Sequence, residues 1–109
     1  MVQRRVQAAE VPASAAILAE LRRQRNPAQA AVLRRFFKTG PGEYGAGDEF
    51  WGLTVPQVRA VIARTGPLPL AAAAELLASP VHEARFFAVA ALARDYARAS
   101  AADRAAIFG

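Results

Sequence analysis

The sequence contains no cysteine and a single histidine among its 109 residues. A disulfide framework, a Cys/His zinc site and acyl transfer through a Cys-His pair are therefore excluded. No apolar run reaches the ~20 residues that a membrane-spanning helix needs, and the N-terminal arginines are not followed by the apolar segment of a signal peptide. We expect a soluble, intracellular protein with no membrane partner.

The sequence also lacks the alternation of β-branched and polar residues that is typical of strands. Hydrophobic residues make up 54% of the chain and are mostly alanine and leucine, which is enough for one domain with a core. We expect a flexible lead-in over residues 1–12 and a helical domain over residues 13–109.

Capping residues followed by proline mark the starts of three helices. Asn26-Pro27 predicts a helix to about Lys38, Thr54 with Pro56 predicts a helix that stops at Gly66-Pro67, and Ser79-Pro80 opens the longest helix, over 81–98. The other predicted helices run from just after Ser14 to about Arg25, from about Leu70 to Ala78, and onward from a capping box at Ser100 and Asp103. The side chains expected to pack inward from the second helix are Val32, Leu33, Phe36 and Phe37.

Short helices in antiparallel pairs predict an all-α fold, either a HEAT-like or armadillo-type superhelix or a compact bundle. Residues 86–93 read FFAVAALA, so this helix is apolar on every side and needs partners on more than one of them. Two arrangements would supply them: a homodimer over the C-terminal helices, or a longer chain of which this is the front half. A dimer would use Phe86, Val89, Ile107 and Phe108.

The charge balance favours a polyanionic partner. Fourteen Lys and Arg residues against nine Asp and Glu residues give a formal net charge of +5. Three cations, Arg34, Arg35 and Lys38, would lie near the end of the second helix. They are interpreted either as phosphate contacts or as a solvated helix face whose cations complement the helix dipole.

A glycine-rich stretch interrupts the helical pattern and carries a family resemblance. It reads FFKTGPGEYG at residues 36–45, followed by Gly47-Asp48, Phe50, Gly52-Leu53, Val55-Pro56 and Arg59. With the later run SPVHEAR at residues 79–85, this pattern resembles the N-terminal signature of the DNA alkylation repair family, the AlkD-type glycosylases. The likeness extends over nearly the whole chain from residue 14 onward.

The resemblance implies a superhelix of HEAT-like repeats whose basic concave face holds alkylated duplex DNA. It also implies hydrolysis of the N-glycosidic bond of N3- or N7-alkylated purines without flipping the base into a pocket, with no metal and no cofactor. In that family the catalytic residues lie in the second half of a domain about twice this length. No residue here matches the catalytic motif, so none is assigned as catalytic. The implied localisation is cytoplasmic, with the nucleoid.

The residues that match the family's DNA-facing surface are the helix start at Thr54-Val55 and Arg59 one turn further on. Relatives usually have a longer polar or basic side chain at position 54, so Thr54 leaves phosphate binding there to the N–H groups of the helix start. Arg85 is expected to face the groove or to pair with Glu75 or Glu83.

Tyr44, at the tip of the glycine-rich loop, is interpreted equally as a DNA contact or as local packing. Phe50 and Trp51 are interpreted either as a lid or base-stacking pair or as anchors of the loop to the core, and anchoring is the expectation. The loop carboxylates are expected to accept hydrogen bonds from glycine N–H groups, and these residues are Glu43, Asp48 and Glu49. The alternative to the glycosylase function is a non-catalytic helical-repeat module that binds DNA or protein.

Overall fold

The computed structural model describes residues 13–36 and 47–108, with side chains up to residue 99. Over these residues it contains five helices and no strand, which confirms the all-α prediction for this part of the chain. The helices are α1 (Ala13–Arg23), α2 (Pro27–Phe36), α3 (Val55–Ala63), α4 (Leu70–Leu77) and α5 (His82–Phe108). None of these helices is long and apolar enough to cross a membrane. The superhelical arrangement and the domain limits stay predictions.

The hydrophobic core lies where α5 packs against α3 and α4, with α1 packed across all three. Leu21 of α1, Val58 of α3, Leu76 of α4 and Phe87 of α5 are almost completely buried. Burying a side chain of this size stabilises the fold by about 1.5–3 kcal/mol relative to leaving it exposed. The core therefore joins four of the five helices.

The end of α3 is joined to α5 through polar contacts. The guanidinium of Arg94 donates to carbonyl oxygens at this end, those of Ile62, Thr65 and Gly66, at 2.6–2.9 Å. The Leu68 N–H donates to Asp95 at 2.8 Å. This bond, ahead of the neighbouring Arg94 side chain, lowers the pKa of Asp95 below its ordinary value of 3.8. The contribution of the ionised carboxylate to stability is thus present at neutral pH and is lost as the pH falls through the lowered pKa.

Helix α5 continues through the position where a separate last helix was predicted. Ser100 and Asp103 both lie inside it. A capping serine must leave the helical conformation, whereas Ala101 and Ala102 favour its continuation, and no proline or glycine interrupts the helix there. The predicted break at Ser100 is wrong because helix propensity outweighs the capping pattern.

One side of α5 is open to solvent among the described residues. Phe87, Ala88 and Ala91 are buried, whereas Val89 is 58% exposed and Tyr96 is exposed as well. A partner over this side, whether a second copy or further chain, stays a prediction. The side chains of Ile107 and Phe108 lie outside the described residues.

Helix α2 does not pack closely along any other described helix. Its start is capped as predicted, because the Asn26 side chain accepts a hydrogen bond from the Gln29 N–H at 3.1 Å. Ala30 is buried, but Val32 is exposed and Phe36 is 75% exposed. The prediction that Val32 and Phe36 pack inward is therefore wrong. Leu33 is half-buried, and Phe37 lies outside the described residues.

Gly52 lies against the start of α2. Its φ is +88°, and an added Cβ would overlap the carbonyl oxygen of Asn26 and lie 2.8 Å from the Ala30 nitrogen. Gly47 has a similar φ of +90° but open space around it, and Gly66 has open space without a positive φ. Alanine substitutions at these three glycines therefore distinguish the cost of backbone strain from the cost of steric overlap.

We expect Gly52→Ala to lower the free energy of unfolding by at least about 3 kcal/mol, since it combines a left-handed backbone with overlap against backbone atoms. Gly47→Ala has only the backbone strain and should cost about 1–2 kcal/mol. Gly66→Ala is the control and should be close to neutral. Urea denaturation followed by circular dichroism measures all three. Equal losses for Gly52→Ala and Gly47→Ala would contradict the steric argument.

Candidate nucleic-acid interface

The segment 48–53 crosses the start of α5. The Glu49 N–H donates to the Pro80 carbonyl at 2.9 Å and the His82 N–H donates to the Glu49 carbonyl at 2.8 Å, as an isolated parallel bridge between Glu49 and Val81. The buried ring of Phe50 stacks on His82 with centroids 4.7 Å apart. Trp51 is half-buried against the core. The expected anchoring of this aromatic pair is confirmed.

Glu83, in the first turn of α5, accepts hydrogen bonds from three consecutive backbone N–H groups. Its side chain is 2% exposed. Oε1 accepts from Trp51 at 3.0 Å, and Oε2 accepts from Gly52 at 2.9 Å and from Leu53 at 3.3 Å. Such successive N–H groups form an anion-binding concavity, which Glu83 fills from within the protein.

Sequence reasoning considered Glu83 only as a partner for Arg85 and missed this role. The loop carboxylates were expected to take the glycine N–H groups, but Glu83 takes the Gly52 N–H and Asp48 pairs with Arg85. Gly40, Gly42, Gly45 and Glu43 lie outside the described residues, so the expectation for the three loop carboxylates stays a prediction. The sequence feature that could have indicated this role is an acidic residue in the first turn of a helix. That feature is not specific, because the helix dipole favours acidic residues there in any protein.

Thr54 begins α3 with a complete capping box. The Thr54 N–H donates to Gln57 Oε1 at 2.8 Å, and the Gln57 N–H donates to Thr54 Oγ1 at 3.3 Å. The Val58 N–H donates to the Thr54 carbonyl at 3.1 Å, and Pro56 has no N–H. Among the described residues, the Val55 N–H is thus the first-turn donor that remains for a ligand. The helix start offers fewer donors to a phosphate than the sequence analysis expected.

Arg59 lies one turn beyond Val55 on the same face of α3, since residues four apart are neighbours on a helix. Both side chains are exposed. The Arg59 guanidinium lies over the ring of Phe86 on α5, 5.7 Å from the ring centroid, in a cation–π contact. The structure therefore brings together Thr54, Val55 and Arg59, and orients the cation against an aromatic ring.

A cavity of about 390 Å³ separates this face from α2. The start of α3, the start of α5 and one side of α2 line it. Its lining is mostly apolar and includes Leu33, Leu53, Val55, Val58 and Phe86. The interface candidate thus includes an apolar recess between α2 and the starts of α3 and α5.

The other predicted DNA-binding residues lie apart from this group or outside the described residues. Arg35 is exposed in the last turn of α2. Lys38 and Tyr44 lie outside the described residues. Their roles in DNA binding stay predictions.

Arg85 has partners other than those predicted for it. It forms a 2.9 Å ion pair with Asp48 and donates to the Ser79 carbonyl at 2.8 Å. Pairing with Glu75 or Glu83 is wrong, because the Ser14 hydroxyl donates to Glu75 and backbone N–H groups bind Glu83. A DNA contact by Arg85 stays a prediction. No group of three or more potential ligand side chains in the described residues could hold a metal ion.

We expect Thr54→Ala to lower the free energy of unfolding by about 1 kcal/mol, because the capping oxygen is lost at a helix start. Thr54→Ser retains this oxygen and should stay within about 0.5 kcal/mol of the wild type. Chemical denaturation of both variants measures the difference. Equal destabilisation by alanine and serine would show that the methyl group, rather than the cap, is responsible.

Comparison with protein families gives a match over most of the chain. The family model described as "DNA alkylation repair enzyme" matches residues 17–108. Searches of curated proteins and of solved structures give no match. The matched segment spans most of the chain, and it includes Thr54, Val55, Arg59 and the Glu83 contact. The chain belongs to the DNA alkylation repair enzyme family.

Proposed function

We propose that this chain is the N-terminal half of a DNA N-glycosylase that excises N3- or N7-alkylated purines from duplex DNA. In this proposal the chain supplies scaffold and contacts to the DNA backbone, and the chemistry belongs to the other half. Membership of a DNA alkylation repair family supports the substrate class. One observation supports the binding role: Val55 and Arg59 lie on the same face of α3, near its start.

Phosphate binding at this face would combine a hydrogen-bond donor with a positive charge. The Val55 N–H lies at the positive end of the α3 dipole, and Arg59 adds a full charge one turn away. Arginine suits this role because its planar guanidinium can stack on Phe86 and still donate hydrogen bonds from its edge to phosphate oxygens. Arg35, exposed in the last turn of α2, is a second cation proposed to contact the DNA backbone.

The proposed reaction makes modest demands on this half of the enzyme. An alkylated purine is already cationic and leaves readily, so catalysis requires stabilisation of the oxocarbenium-like sugar and an oriented water. No residue of this chain matches the family's catalytic motif. That observation also favours the second candidate, a non-catalytic helical-repeat module that binds DNA or protein.

Duplex DNA binding should weaken steeply with salt, because the proposed contacts are to phosphates. Arg59→Gln should lower the affinity and reduce the slope of log K against log salt by about 0.9, the value for one lost phosphate contact. Fluorescence anisotropy with a labelled duplex measures both quantities.

Arg64→Gln is the matched control for Arg59→Gln. Arg64 directly follows α3 and pairs with Glu20 of α1 at 3.3 Å. Its replacement should leave the slope unchanged. Binding that is insensitive to salt and to Arg59 would contradict the proposed DNA face.

Release of 7-methylguanine from alkylated duplex DNA tests whether this half binds DNA while the other half supplies the chemistry. The 109-residue chain should release no base above spontaneous depurination, since it supplies binding only. A chain continued C-terminally along its reading frame should release the base. Release by the shorter chain would contradict the half-enzyme proposal, and absence of release by the continued chain would favour the non-catalytic module.

A further inference from the structure

We propose that Glu83 is a positioning residue for DNA contact: its buried carboxylate fixes the segment 51–53, and through it the relative placement of the arginines on α2 and α3. This inference rests on the proposed function. It assigns to Glu83 an effect on the geometry of DNA binding in addition to its effect on stability.

The contact requires a carboxylate rather than an amide. All three hydrogen bonds to Glu83 come from N–H donors, and both oxygens are used. A glutamine has one carbonyl oxygen and would direct an NH₂ group against at least one of these donors. The positive φ of Gly52 lies in the middle of the bonded segment, and it directs the successive N–H groups towards one acceptor.

The segment 51–53 connects both helices that carry the proposed phosphate contacts. The Asn26 N–H, at the start of α2, donates to the Trp51 carbonyl at 2.6 Å. Leu53 leads directly into Thr54 and α3. Because α2 does not pack closely along another described helix, its placement relative to α3 depends on this segment and on the hydrogen-bonded turn that joins it to α1.

Glu83 joins the same segment to α5, close to the cation–π contact. Phe86, which lies under Arg59, follows Glu83 by about one turn of α5. In addition to the core packing between α5 and α3, Glu83 of α5 binds the N–H groups just before α3, and Phe86 contacts the guanidinium of Arg59. A DNA backbone that contacts Arg35 and Arg59 together requires a fixed distance between them, and loosening the Glu83 contact changes this distance.

The test compares Glu83→Gln with Glu49→Gln, whose carboxylate is exposed on the same crossing segment. Both variants are checked for folding by circular dichroism and studied well below their unfolding midpoints. We expect Glu83→Gln to bind duplex DNA about tenfold more weakly, with a salt slope reduced by about 0.9 or more. Glu49→Gln should keep the wild-type slope. A folded Glu83→Gln with wild-type slope and affinity would overturn the inference.

A double-mutant cycle separates positioning from general destabilisation. Arg35→Gln should lower DNA affinity in the wild type but have a smaller effect in Glu83→Gln, because the two helices no longer present their arginines together. Additive effects would overturn the inference. If wild-type protein does not bind duplex DNA at all, the proposed function itself fails, so the two failures are distinguishable.

A measurement on the wild-type protein applies even if Glu83→Gln does not fold. Coupling between two contacts is reciprocal, so bound DNA must stabilise the Glu83 contact if that contact favours DNA binding. We expect saturating duplex DNA to slow hydrogen exchange of the Trp51, Gly52 and Leu53 amides more than that of Ala73 in α4. Equal changes at the two places would overturn the inference.

Discussion

The buried carboxylate of Glu83 and the three N–H groups that it binds are the contact on which the rest of the structure depends. An uncompensated buried charge costs several kcal/mol. Three hydrogen bonds to a charged acceptor, each contributing about 1.5–3 kcal/mol, can offset that cost. The balance requires all three donors to converge, and the convergence requires the left-handed backbone of Gly52. One electrostatic constraint thus determines the backbone path of the segment 51–53 before α3.

Local signals in the sequence were sufficient for the helix starts. Asn26 and Thr54 cap α2 and α3 as predicted, because a cap depends on a side chain and N–H groups within three residues of it. The same reasoning failed at Ser100, where alanines allow the helix to continue. It also failed for Phe36, because inward packing requires a neighbouring helix, and apolar periodicity within α2 does not reveal whether one is present.

The candidate site was only partly predictable for a related reason. Thr54, Val55 and Arg59 came from a motif within six residues of sequence, and the structure keeps them on one helix. The partners of Glu83 lie 30–32 residues before it, and no local pattern indicates such a pairing. Arg85 shows the same limit, because its ion pair is with Asp48 across the fold rather than with an acidic residue of a nearby helix.

Net charge alone does not describe how this protein would bind a polyanion. The formal charge is +5, yet several arginines have internal partners: Arg94 binds carbonyl oxygens, Arg85 pairs with Asp48, and Arg64 pairs with Glu20. The exposed Arg35 and Arg59 lie on two helices whose relative placement depends on the segment 51–53. The long-range attraction between the protein and DNA depends on the total charge. Simultaneous contacts to several phosphates depend instead on the spacing of a few side chains. The buried Glu83 carboxylate is therefore compatible with a DNA-binding surface. It lowers the positive net charge by one unit, but it fixes the spacing of the exposed arginines.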